Sequence, residues 1–192
     1  MKPIERGEIL GLAEYEQIRA HFRARVIDEK KRRRVALGPR ATALFENRDT
    51  VLLQIQEMLR TERITREAAI QHEIDTYNEF IPSDRGLSCT VMIEIDDKDE
   101  REAFLMNVRG IEESISIVVD GERAQGHTTP DRLLADRASA VIYLKMQLSE
   151  RAATAVVSGA AKTIDLEVEH DAYRAKVALS REVVAAIAED LG

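Results

Sequence analysis

"SCTVMIEIDD", residues 88–97, is where the chain changes its period. Cys89, Val91, Ile93 and Ile95 alternate with Thr90, Met92 and Glu94. A repeat of two is the mark of a strand with one drier face. Asp96 or Asp97 then supplies an N-cap for a helix running to about Asn107. Upstream the period is helical. Tyr15, Ile18, Phe22 and Val26 form one stripe of a long helix over residues 12–34. Residues 33–37 and 42–46 read as two short strands, with Gly38-Pro39-Arg40 as their turn. Asn47, Asp49 and Thr50 are N-cap candidates for a helix to about Arg60. Its apolar face is Val51, Leu52, Ile55, Met58 and Leu59. Thr65 is the expected cap of a further helix with Ile70, Ile74 and Tyr77 as its seam, and Pro82 ends it.

Downstream the pattern stays mixed. Ile115, Ile117 and Val119 alternate before Asp120-Gly121, a two-residue hairpin signal. A polar loop over 127–137 leads to a strand at 139–148 and a short helix at 150–157. Strands at 162–169 and 173–179 and a closing helix at 181–190 complete the chain. "KMQLSER" at 145–151 and "KVALSRE" at 176–182 share one device, a strand that ends at a serine cap. The pattern predicts an α+β fold: an N-terminal helical region with a short β-hairpin, then a mostly antiparallel sheet with helices on one side. Residues 1–82 and 87–192 are its two parts, as separate domains or as one continuous domain, with 82–86 as the boundary.

The composition fits a chain that buries a core. Of 192 residues, 44% are apolar and 33% charged, and with no Trp and few aromatics the core must be aliphatic. The net charge of −7 is uneven. The first 40 residues hold eleven Lys/Arg against six Asp/Glu, so a basic segment precedes an acidic body. Such asymmetry marks an interaction surface, a small-anion socket or a solvated shoulder. Arg32, Arg33, Arg34, Arg40 and Arg48 concentrate the charge, and Glu57 lies on the helix that follows. Arginine beside an apolar seam suits a protein interface, because its stem packs while its head pairs. The expected partner is another protein or a second copy of the chain, held through this basic region. The alternative is an enzyme or sensor that grips a small anion or nucleotide with Arg34, Arg40, Arg48 and Glu57.

Other chemistries have less in their favour. Residues 48–80 read as helix-turn-helix, but the second helix carries Glu67, Glu73, Asp75 and Glu79 against Arg66 alone, which repels a nucleic-acid backbone. Glu167 and His170 sit on a strand and point to opposite faces, so their spacing does not make a metal pair. The four histidines are scattered, and no motif assigns a catalytic residue, a metal or a cofactor. Cys89 lies in an apolar run and reads as a buried thiol. The first residues lack the apolar stretch of a signal peptide, and no run reaches membrane-spanning length, so a cytoplasmic protein is expected.

"RRRVALGPRATALFENRDTVLLQIQEMLRTERI" (32–64) and "AAIQHEIDTYNEFIP" (68–82) resemble a bacterial family of uncharacterised proteins, a domain of unknown function. "DRASAVIYLKMQLS" (136–149) and "HDAYRAKVALS" (170–180) extend the resemblance over nearly the whole chain. Such families are often encoded beside rubrerythrin-type peroxide reductases and iron–sulfur oxidoreductases. The resemblance therefore implies an accessory role near peroxide or iron–sulfur chemistry. It carries over no catalytic residue. One cysteine and no repeated helical Glu-x-x-His imply that this chain is not the holder of the redox metal.

Overall fold

A computed structural model of the chain describes residues 1–82, 84–129 and 132–192; Ser83 in the expected boundary, and Pro130 and Asp131 in the expected loop, lie outside the described residues. The first long element is α1, Leu12–Lys31. The hairpin follows as β1, Arg34–Ala36, and β2, Ala41–Phe45, with Val35 opposite Ala43. Helix α2, Arg48–Thr61, starts where expected. The Asn47 side chain accepts from the Thr50 N–H at 2.9 Å and the Thr50 hydroxyl accepts from the Asn47 N–H at 2.9 Å. That reciprocal pair satisfies two of the amides a helix start leaves free. Helix α3, Glu67–Asn78, differs from expectation at its start: the N-cap is Arg66, not Thr65, and no side chain caps it. The Arg66 carbonyl takes the first bonds, from the Ala69 and Ile70 amides, which leaves Thr65 outside the helix.

The alternating stretch forms β3, Gly86–Ile93, and Asp97 caps α4, Lys98–Asn107, through its carboxylate and the Glu100 N–H at 2.8 Å. Next come β4, Ile115–Val119, and β5, Glu122–His127, joined at Asp120-Gly121 with positive φ at both residues. Strand β6 is Val141–Gln147 and α5 is Glu150–Val157. Strands β7, Ile164–His170, and β8, Tyr173–Ala178, lead to α6, Arg181–Leu191. The two serine devices repeat in space: Ser149 caps α5 and Ser180 caps α6, each accepting from the amide three residues on.

All eight strands join one antiparallel sheet in the order β1-β2-β3-β6-β5-β4-β7-β8. The N-terminal hairpin is therefore an edge of the same sheet, with Ala43 of β2 opposite Val91 of β3. The drier face read from Cys89, Val91 and Ile93 meets Phe104, Leu105, Ala152, Val156, Val183 and Ile187 of α4, α5 and α6 in the main core. The wetter face of β2, β3 and β6 is not solvent. Helices α2 and α3 cover it, with a second core of Val51, Ile55, Leu59, Ile70, Ile74 and Phe80 against Tyr143.

The sheet curls almost into a barrel. The Tyr173 hydroxyl on β8 donates to the Leu37 carbonyl just past β1 at 2.6 Å, and accepts from the Arg40 amide at 3.3 Å. Gly38 permits that approach, since its φ is +78° and a methyl there would stand 2.6 Å from the Tyr173 hydroxyl oxygen. Among the described residues no helix is long and apolar enough to cross a membrane.

Candidate functional site

The basic residues singled out in the sequence do not gather into one socket. Each meets a carboxylate of its own chain. Arg32 binds Glu29 at the end of α1 and Glu189 on α6. Arg33 shares Glu29 and reaches Asp190 at 2.5 Å, with both side chains 1% exposed. Arg34 stands 3.7 Å from Glu94 and is half exposed. Arg40 pairs with Glu100 at 2.8 Å and lies over the Phe104 ring. Arg48 binds Glu8 at 2.5 Å and the Lys2 carbonyl at 3.0 Å, which fastens the N-terminal segment to α2. Glu57 faces α1, where it accepts from Arg19 at 2.7 and 2.8 Å and from the Tyr15 hydroxyl at 2.6 Å. The Arg19 hydrogen bonds outweigh desolvation and hold the Glu57 carboxyl down at about 2. Only Arg32 and Arg33 share a partner. Arg34 and Arg40 both border Glu94 beside the β1–β2 hairpin, whereas Arg48 and Glu57 lie on α2.

A different set of residues forms a cavity of about 150 Å³ between the helical layer and the covered half of the sheet. Leu44 and Glu46 come from the end of β2, Thr90 and Met92 from β3, and Val141 and Tyr143 from β6. The helical side contributes Lys30 at the end of α1, Val51 and Gln54 from α2, Tyr77 from α3 and Phe80 just beyond it. Leu44, Val51, Phe80 and Thr90 are buried, whereas Val141 is 42% exposed and stands at the rim. The space opens to solvent at the Val141 rim. A void of this size holds a benzene ring when its walls are apolar.

The polar groups of the cavity are placed by the local fold. Glu46 precedes the Asn47 cap, so the turn into α2 aims its carboxylate back toward the sheet. One oxygen accepts from the Thr50 hydroxyl and the other from the Thr90 hydroxyl at 2.6 Å. Thr90 faces this side because β3 alternates, and its neighbours Cys89 and Val91 belong to the main core. Phe80 and Tyr143 pack with ring centroids 4.8 Å apart, and the Arg132 guanidinium lies 4.6 Å from the Phe80 centroid and 5.2 Å from that of Tyr143. Burial first, then Tyr77 and Glu46, pushes the Tyr143 phenol above its ordinary value. Among the described residues, the Lys30 ammonium, the Gln54 amide and the Tyr77 and Tyr143 hydroxyls have no hydrogen-bond or ion-pair partner. An apolar floor with a few convergent polar groups is the usual make-up of a small-molecule site.

Sequence reasoning passed over this cavity because its residues come from six separate segments. The available signal was the pairing of Thr90 and Met92 on one face of a strand with an apolar helical seam, Val51 and Tyr77, able to lie over it. Among the described residues no three His, Cys, Asp or Glu side chains converge as metal ligands. The His170 ring meets the Arg109 carbonyl at 3.1 Å. Cys89 is buried, and desolvation raises its thiol well above the ordinary range.

Comparison with known proteins agrees with this architecture. A crystal structure of a novel protein of unknown function from Burkholderia pseudomallei K96243 is 32% identical, covers 100% of both chains and superposes with a TM-score of 0.92. Curated proteins give no match. The family model for proteins of unknown function DUF3501 fits residues 3–191, and the chain belongs to that family.

Proposed function

We propose that the chain binds a small organic molecule in the cavity between its helical layer and its sheet. The observation that carries this reading is a ring-sized apolar cavity, about 150 Å³, whose Lys30, Gln54, Tyr77 and Tyr143 polar groups lack partners among the described residues. Lys30, Gln54, Tyr77 and Tyr143 are half-buried and reach solvent, so they offer a ligand unengaged donors and acceptors around an apolar floor. The arginines named in the sequence are not the ligands of this reading, because each is already held by a carboxylate.

The test is a melting series with ring-sized compounds such as phenol, benzoate and benzylamine. A bound ligand at a hundredfold excess over its Kd stabilises by about 2.7 kcal/mol. Val141→Trp plugs the rim at an exposed position, so the variant is expected to melt as the parent does and to lose the ligand shift. A shift that survives the plug removes the cavity from the account.

A second reading, association with a protein partner or a second copy, has its own support. Helix α1 is 20 residues long and buries only Tyr15 and Val26, while Ile18 and Ile27 are 45% and 41% exposed. The two isoleucines stand nine residues apart and so on opposite flanks of the helix, and each flank is a separate candidate contact. The accessory role beside peroxide and iron–sulfur chemistry rests on the family resemblance alone.

A further inference from the structure

We infer that the cavity takes a small zwitterion, a molecule with one ammonium and one carboxylate on an apolar body, as in a free amino acid with an aliphatic or aromatic side chain. The inference rests on the cavity being a ligand site and names what that ligand carries. Two opposite charges line the same small space without meeting. Glu46 has no ion-pair partner among the described residues; its two oxygens are held by the neutral Thr50 and Thr90 hydroxyls. Lys30 also lacks an anionic partner among the described residues, although it lines the same cavity.

A carboxylate offers about four lone-pair sites. One hydroxyl on each oxygen fixes the Glu46 group in orientation and leaves room on both oxygens for N–H donors. Thr50 and Thr90 are 1% and 6% exposed, so the support beneath Glu46 is rigid and dry. An ammonium at Glu46 gains charge-assisted hydrogen bonds at a prepared acceptor. A carboxylate at Lys30 neutralises the second charge near the rim. A ligand bearing only one charge leaves the other side chain uncompensated in a partly desolvated site, which is unfavourable. Leu44, Val51 and Phe80 are buried and apolar, and they accept the hydrocarbon body.

Titration calorimetry on the full chain tests this with phenylalanine and leucine, with phenethylamine and 3-phenylpropionate as single-charge analogues, and with ethylbenzene as the neutral body. Phenylalanine or leucine is expected to bind at least about tenfold tighter than either single-charge analogue, the usual scale for losing a charge-assisted bond. Glu46→Gln is expected to abolish the advantage over 3-phenylpropionate, and Lys30→Met the advantage over phenethylamine. Far-UV circular dichroism checks both variants for folding. Should Glu46→Gln fail to fold, the analogue series on the parent chain and Lys30→Met still decide the matter. Ethylbenzene binding as tightly as phenylalanine overturns the zwitterion and keeps the cavity. No binding by any of the five compounds, or binding that Val141→Trp leaves untouched, overturns both.

Discussion

Arg33 shows how far a residue's role depends on where its head group ends. In the sequence it is one of three adjacent arginines. In the fold its side chain is 1% exposed, held by Glu29 and Asp190, while Arg34 beside it is 49% exposed and only 3.7 Å from Glu94. Removing one member of a buried pair strands a charge, at a cost of about 3–5 kcal/mol. An exposed pair contributes about 0.5 kcal/mol or less. Urea denaturation is therefore expected to separate Arg33→Ala, strongly destabilised, from Arg34→Ser, nearly neutral. Equal effects would remove the buried clamp from the stability of the fold. Sequence could not make this distinction, because Asp190 lies 157 positions away and the spacing of neighbouring arginines says nothing about it.

Between elements, Glu57 is the link that joins α1 to α2 through Arg19 and Tyr15. Its carboxyl is held at about 2 against an ordinary 4.5. A depressed value in the folded state means that the stabilisation is complete above the ordinary value and disappears as the pH falls from about 4.5 through 2. The loss is on the order of 2 kcal/mol once partial exposure is allowed for. Melting between pH 7 and pH 2.5 is expected to show a smaller acid loss in Glu57→Gln than in the parent, and identical slopes would exclude the link as its source. The elements themselves were largely legible. Period, caps and turn residues marked α2, α4, α5, α6 and the β4–β5 hairpin, since those signals are local. The start of α3 was not legible, because a backbone carbonyl rather than a side chain begins it.

Across the whole molecule, the sequence showed an antiparallel sheet with helices but not that two helical layers cover opposite faces of its first half. Period two in β3 says which residues share a face. It does not say that Thr90 and Met92 will be roofed by α2 and α3. The cavity lies in that gap of knowledge, since roof and floor are far apart in the chain. The same arrangement leaves α1 on the outside, so self-association is checked at this scale by sedimentation. If α1 is the contact, one of Ile18→Glu and Ile27→Glu is expected to dissociate the dimer and the other, on the opposite flank of the helix, to leave it intact. A dimer indifferent to both places the contact elsewhere, and a monomer at every concentration removes self-association.

The Arg33–Asp190 clamp also has a consequence for how the protein is made. A ribosome adding about 5–20 residues per second needs roughly eight to thirty seconds to travel from the first member to the second. Throughout that interval the guanidinium has no Asp190 to meet, so the nascent hairpin cannot settle into its final burial until that residue has been made.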